Sequence, residues 1–395
     1  MKNINKYFII CLLLLTNSLY AADNNKNSSL ENYYFPYITG NILIEYNFSS
    51  LNNGNYGNKI ERDRRNLSYF EIESGLNFHI LNKVSLLNKL VFKPTNKRFT
   101  KNVDNDFYGK EKYLRRKFYF NNYDIVFEEL NFEYKEDQFL FGLGKFNPTF
   151  GTAFDKAKYH GVFDTRIIED YKLTEKIGFY VSMTLPMFNL RFNSFFNDKS
   201  FLSASLFNQR NRNKINRRPG NTNRLNNFSL TSEFAVNDLK FNLGIKRLAV
   251  KQYDERAEKG YVLGIEKLIN ETFNGFGFIP FTEFSYIKNY NGINNRDKFF
   301  TTLRFPIYYD GWSIIGTYTT SLDKEKSFKN YRDYLAQITI GYKFENGIMF
   351  DISKTIGKES YKDGDPIKIA NKMKNSYKTD SWDVRLSYML NFDGN

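Results

Sequence analysis

Residues Asp380 to Phe392 alternate almost without error: Trp382, Val384, Leu386, Tyr388, Leu390 and Phe392 share one face, and Ser381, Asp383, Arg385, Ser387 and Asn391 share the other. Successive side chains of a strand point to opposite sides, so this segment has one apolar and one polar surface. A strand of about 10 residues divided in that way, and closed by an aromatic residue, is the unit of a transmembrane β-barrel.

At the other end, Lys2 and Lys6 precede an apolar run from Tyr7 to Leu15 and a small-residue exit at Ala21 and Ala22, the layout of a secretory signal peptide over residues 1–21. Nine apolar residues fall short of the ~20 that a spanning helix needs, and no later segment approaches that length, which excludes a helical membrane protein. Residues 22–36 are expected to form a periplasmic N-terminal segment and residues 37–392 the barrel. Cys11, the single cysteine, lies within the signal, so the mature chain holds neither a thiol nor a disulfide.

Mean hydropathy is −0.55, as in a soluble protein, yet 18% of the residues are aromatic. A barrel looks hydrophilic on average because half of every strand faces water. A secreted β-sandwich or propeller would also alternate, but the number of strands that offer a whole aromatic face, with no helix to cover it, argues against one. Net charge is +14, or +12 without Lys2 and Lys6. Export and the lack of an RNA-binding sheet motif argue against nucleic acid as the partner of this basic chain.

The same alternation test places strand one at Tyr37 to Phe48, with Ile38, Ile42, Ile44, Tyr46 and Phe48 outward and Thr39, Asn41, Glu45 and Asn47 inward. Strand two, Asn66 to Ile80, turns Glu71, Glu73, Asn77 and His79 inward and leads through Leu81 to Lys83 into strand three. Further strands fall near Tyr119 to Lys135, Gln138 to Phe146, Leu173 to Thr184, Phe188 to Phe196, Asn227 to Val236, Leu239 to Ala249 and Lys259 to Leu268. Five more follow near Phe276 to Ile287, Asp297 to Ile307, Gly311 to Thr320, Asp333 to Phe344 and Gly347 to Gly357, before the final one. The total is sixteen, with eighteen as the alternative because the segments near Val262 and Phe281 alternate imperfectly.

Short connections such as Glu136 and Asp137, Asn237 and Asp238, and Glu345 and Asn346 interleave with long polar ones at Ser49 to Arg65, Pro94 to Phe118, Asn147 to Lys172, Asn197 to Asn226 and Lys358 to Lys378. An even strand count with both termini on the short-turn side is the outer-membrane arrangement. The fold class expected is therefore all-β: a 16-stranded antiparallel transmembrane barrel.

Barrels of sixteen to eighteen strands leave an aqueous channel, because diameter grows with strand number. Expected lumen residues are Glu45, Glu71, Glu73, Glu129 and Glu133 on early strands, and Lys176, Arg191, Lys246, Arg304 and Arg385 on later ones. Acids and bases on different walls would set a transverse field across a narrow passage.

The segment after strand five is the most specific: FLFGLGKFNPTFGTAFDKAKYHGVFDTRIIEDYKLTEKIG. Through Gly144, Lys145, Phe146, Pro148, Phe150 and Gly151, then Glu169, Asp170, Tyr171, Leu173, Thr174, Glu175, Lys176 and Gly178, the chain resembles the outer-membrane porin family of Gram-negative bacteria, with its general and phosphate-selective-like branches. The resemblance implies that this third long loop folds into the barrel as the constriction, and that the protein is a homotrimer. Gly142 and Gly144 share the lumen face of strand five, where glycine leaves room for another backbone. The loop's acids Asp155, Asp164, Glu169 and Asp170 balance its bases Lys156, Lys158, Arg166 and Lys172, so that it can bond to itself and to the wall. The early-strand acids depart from the general-porin pattern, which commonly holds bases there. Phe392 is the expected assembly signal, followed by three further residues.

The loop near residue 210 is strongly basic, with Lys199, Arg210, Arg212, Lys214, Arg217, Arg218 and Arg224 against Asp198. Such a mouth concentrates anions or binds anionic headgroups of outer-membrane lipid and lipopolysaccharide. His79 and His160 have no recognisable nucleophile partner, so no enzyme, metal or cofactor is expected; Asp363 and Asp365 read as a solvated turn. The function expected is passive diffusion of small hydrophilic solutes and ions, with a surface adhesin or structural barrel as the alternative.

Overall fold

The computed structural model describes residues 35–53, 63–94, 118–119, 123–158, 164–200, 202, 219–250, 256–267, 276–325, 330–360 and 376–393. The expected signal peptide, residues 22–34, His160, Asp363, Asp365 and the loop residues Arg210, Arg212, Lys214, Arg217 and Arg218 lie outside these.

Sixteen antiparallel strands close on themselves: β1 Tyr37–Asn53, β2 Asp63–Leu81, β3 Val84–Pro94, β4 Tyr123–Glu136, β5 Phe139–Phe146, β6 Lys176–Leu185, β7 Phe188–Asn197 and β8 Asn227–Val236 form one half. The other half is β9 Leu239–Leu248, β10 Glu258–Lys267, β11 Phe281–Lys288, β12 Arg296–Tyr309, β13 Trp312–Glu325, β14 Tyr331–Lys343, β15 Ile348–Ser360 and β16 Ser376–Asp393. Pairing of β1 with β16, Ile44 opposite Tyr388 and Glu45 opposite Ser387, seals the cylinder and removes its edges.

Several strand ends shift by a few residues from those expected, and three differences change the pairing or the loop. Phe118–Tyr119 is a separate fragment paired in parallel with β2, and β4 starts only at Tyr123. The segment from Phe276 breaks after Phe278 because Pro280 has no N–H for the ladder; its carbonyl instead accepts the amide of Lys267 at 3.0 Å. Leu173 precedes β6 and is buried in the loop's core.

Short turns at one end carry Asp137, Asn237 and Asp310 at positive φ, a conformation that these short polar side chains tolerate. Exposure across the sheet is inverted relative to a soluble protein. Leu143 is 64% exposed and Ile338 52%, whereas Thr355 is 0% and Ser353 1%. An apolar band of this extent is stable only against lipid, which removes the sandwich alternative.

The apolar core lies inside the barrel. Phe150, Ala153, Ala157, Ile167, Ile168, Tyr171 and Leu173 of the third long loop pack on Val262, Phe281, Ile287, Phe300, Ile315 and Leu335, which face inward from β10 to β14. Each fully buried isoleucine contributes about 1.5–3 kcal/mol, enough to hold the loop on that wall.

Candidate functional site

The third loop runs from Asn147 to Glu175 and contains two short helices, α1 Ala153–Lys158 and α2 Arg166–Glu169. Its entry and exit are clamped by Lys145, 1% exposed, whose ammonium pairs with Glu175 at 3.4 Å and Asp198 at 2.9 Å and donates to the Leu202 carbonyl at 2.8 Å. That is the role of the lysine in the glycine-lysine-phenylalanine run. Asn147 adds a second clamp, donating to Glu129 at 2.7 Å and accepting the Glu175 amide at 2.8 Å.

Across the lumen, the Glu283 carboxylate on β11 accepts the amides of Thr152 at 2.6 Å and Ala153 at 3.1 Å, and the Tyr171 hydroxyl at 2.6 Å. A buried carboxylate at this point is satisfied by the donors at the start of α1. Burial, then the neighbouring Glu283 charge, pushes the Tyr171 phenol well above its ordinary 10. Lys156 pairs with Glu266 at 2.5 Å, Asp170 with Lys298 at 2.8 Å, and Arg166 with Asp164 at 2.5 Å while also reaching Thr379 at 3.1 Å. The balanced loop charges thus bond partly within the loop and partly to the wall. Asp155 is exposed on α1, and Lys158 ends that helix.

A space of about 420 Å³ remains between the loop and the opposite wall. Glu45 and Asn47 of β1, Tyr69 and Glu71 of β2, Lys93 of β3, Glu128 of β4 and Arg385 of β16 line it, facing Phe154, Thr165, Glu169, Lys172, Thr174 and Glu175 of the loop. Glu169 is exposed there and accepts the Thr165 hydroxyl at 2.7 Å; the Lys172 ammonium lies 3.2 Å from the centre of the Phe154 ring.

The expected segregation of acids and bases onto different walls does not hold. Arg385 sits within the acidic wall, between Asp351 at 2.8 Å and Glu45 at 3.2 Å, because ring closure brings β16 against β1. Glu73 and Glu128 share Lys89 at 3.6 and 3.5 Å, and Glu128 also binds Lys93 at 2.8 Å. Lys246, expected on the lumen surface, is 4% exposed beneath the loop, paired with Glu258 at 3.1 Å and donating to the Tyr171 carbonyl at 3.2 Å. Arg304, also expected there, is 3% exposed and donates to the Tyr308 hydroxyl at 3.2 Å. The loop, packed on β10 to β14 and bonded through Tyr171 to Lys246 of β9, takes Lys246 out of the open space.

Gly142 and Gly144 make room for something other than the loop. A Cβ on Gly142 would overlap the Tyr180 ring from β6, and one on Gly144 would meet the Leu130 carbonyl of β4. Tyr180 in turn donates to Asn131 at 3.0 Å and to Glu133, and Arg191 stacks on its face at 3.8 Å. Lys176 donates to Asn197. His79 faces inward near the short-turn end, bonded to the hydroxyls of Thr39 and Ser85, each at 2.9 Å.

The strand faces did not reveal Glu128, because the partners jump from Lys89–Glu129 to Leu90–Phe127 and leave Glu128 as an extra, bulged residue that turns inward beside Glu129. Asp351 was open to the alternation test on β15, and Glu283 lay in one of the two weakest strands. Of the basic loop, Arg224 is described and exposed.

No protein-family model and no curated protein matches the chain. Among solved structures it is similar to OprB of Pseudomonas putida, with a TM-score of 0.58, 9% identity, and 89% of this chain and 94% of that one covered. The outer membrane channel DcaP of Acinetobacter baumannii gives 0.52 and 10%, covering 89% and 96%. A loop-deletion mutant of OmpT, an outer membrane protein of Vibrio cholerae, gives 0.52 and 11%, covering 89% and 99%. At these identities the likeness establishes the barrel architecture.

Proposed function

We propose that the chain is a diffusion channel of a Gram-negative outer membrane, passing small hydrophilic solutes and ions after export and removal of residues 1–21. The observation that carries this reading is a loop folded into the lumen beside a space of about 420 Å³, walled by charged side chains of both the loop and the barrel. A barrel that served only as a scaffold for outer loops would have no use for a constriction held by six separate anchors: Lys145, Asn147, Lys156, Arg166, Asp170 and Glu283. The likeness of fold to the outer membrane channel DcaP supports the same reading.

In this proposal Glu71, Glu129, Glu169 and Arg385 contribute to the lumen, with Glu73 and Glu133 behind them. Phe392, paired with Gly40 at the closing seam, serves as the assembly signal. The basic loop around Arg224 contacts anionic lipopolysaccharide headgroups, and the barrels assemble as a homotrimer.

Planar-bilayer recordings of refolded protein lacking residues 1–21 test the proposal. Open steps on the order of a nanosiemens in molar salt are expected for a sixteen-stranded, loop-narrowed channel. Folded barrels that insert and never conduct would overturn it.

A further inference from the structure

We infer that the outer face of β9 to β13 carries, at its long-loop end, a binding site for the phosphorylated headgroup of lipopolysaccharide. The inference rests on the outer-membrane reading above and gives its lipid partner a place on the barrel. Alternation sends Lys246, Glu258 and Ile287 inward, where they are buried, and so turns Arg247, Lys259 and Lys288 outward. Strand register sets these three directly opposite one another, Arg247 across from Lys259 and Lys259 across from Lys288. Two strands further on, Lys324 faces Asp297 and extends the row. Each of the five stands within a residue of its strand's end, on the side away from the short turns.

Like charges placed directly opposite across a sheet repel, and here they do so on two successive seams. Asp297 is turned to other donors, one oxygen accepting the Tyr286 hydroxyl at 2.8 Å and the other the Asn289 amide at 3.2 Å. Among the described residues none of the four cations pairs with a carboxylate: Arg247 donates to the Asn226 carbonyl at 3.2 Å, and the Lys324 ammonium lies 5.0 Å from the centre of the Phe299 ring. Elsewhere on the same outer surface a cation is met by a carboxylate, as Lys354 is by Asp380. An anion from outside the chain would remove the repulsion.

The anion is assigned to a lipid because apolar surface continues directly from the row. Two residues along each strand, on the same face, stand Ile245, Tyr261, Tyr286, Phe299 and Leu322. The rings of Tyr261 and Tyr286 stack at 6.2 Å, and Tyr286 meets Phe299 at 4.7 Å. Ile245, Tyr261 and Phe299 are 41%, 49% and 38% exposed. An aromatic shelf beside a row of cations is the boundary between acyl chains and headgroups, where long basic side chains extend toward phosphate. Adjacent strands lie about 4.8 Å apart, so the cations of β9 to β11 are within reach of one phosphate group, to which the Arg247 guanidinium offers paired donors.

Native mass spectrometry of refolded protein lacking residues 1–21, titrated in detergent with bis-phosphorylated lipid A, phosphatidylethanolamine or inorganic phosphate, tests the site. Lipid A is expected to bind in preference to the other two. Lys259→Gln combined with Lys288→Gln is expected to weaken it about twentyfold at low ionic strength, the weight of two basic residues beside an anionic headgroup. Lys354→Gln, which removes a cation already paired, is expected to leave lipid binding unchanged. Without lipid the double variant is expected to be at least as heat-stable as the wild type, because a repulsion has been relieved, so that lost binding is not lost folding. Equal binding of lipid A by wild type and double variant would overturn the inference, as would inorganic phosphate bound as tightly as the lipid. Protection of Lys259 and Lys288 from amine labelling by assembly of the barrels alone would assign the face to a second copy and overturn it too. None of these outcomes touches conductance, so each leaves the channel reading standing. Refolded protein that never inserts into lipid vesicles would instead remove the outer-membrane reading and this inference together.

Discussion

The hydroxyl of Tyr171 donates to the carboxylate of Glu283 across 2.6 Å, joining the far end of the third loop to the group that also holds the first amides of α1. One buried side chain on β11 therefore fixes two points of the loop against that wall.

Glu283→Ala is expected to loosen the loop and raise single-channel conductance, because each hydrogen bond to a charged group contributes about 1.5–3 kcal/mol and three strong ones are lost together. Recordings beside a heat-shift gel, which reports the intact barrel, check this; unchanged conductance from a folded variant would show that the apolar contacts suffice.

The phenol of Tyr171 is raised by burial and by Glu283, so it stays protonated and keeps its bond at pH values where a free tyrosine ionises. A raised folded-state pKa gives stability that is whole below about pH 10, the unfolded value, and is lost only as pH climbs through the higher folded one. Conductance is expected to be flat from pH 7 to about pH 10, and Tyr171→Phe to erase any rise above that range.

Replacing Lys145 by alanine removes the buried cation that Asp198 and Glu175 share, a change that costs about 3–5 kcal/mol. Urea unfolding of refolded barrels in detergent measures it. Lys145→Met, similar in length but uncharged, is expected to be equally destabilising, which separates charge from packing.

Gly142→Ala drives a methyl group into the Tyr180 ring, an overpacking worth about 1–3 kcal/mol. Adding Tyr180→Ala should restore much of the loss in a double-mutant cycle. If the two changes are simply additive, the ring does not occupy the glycine's place.

Much of this molecule was legible in the chain because a β-barrel is specified locally. The alternation of Trp382, Val384 and Leu386 with Ser381, Asp383 and Arg385 names the lipid and water faces without knowledge of any partner strand, and short turns between such segments count them. The core residues of the third loop were legible only in part: Phe150, Tyr171 and Leu173 stood out by resemblance, but not the wall that would receive them. A face assignment says that Lys246 points inward; it does not say that a loop then covers it.

The linear order of residues determined the cylinder: its class, its sixteen walls, their orientation and the position of its longest inward candidate, all of which depend on period and turn chemistry within a few residues. Tertiary structure decided what the cylinder encloses. Arg385 meets Glu45 across 340 positions of sequence through ring closure, Glu128 turns inward through a slip in register, and Glu283 selects the wall on which the loop rests. Each of these depends on which strand stands beside or across from which, a property of closure and stagger that no single strand carries in its own side chains.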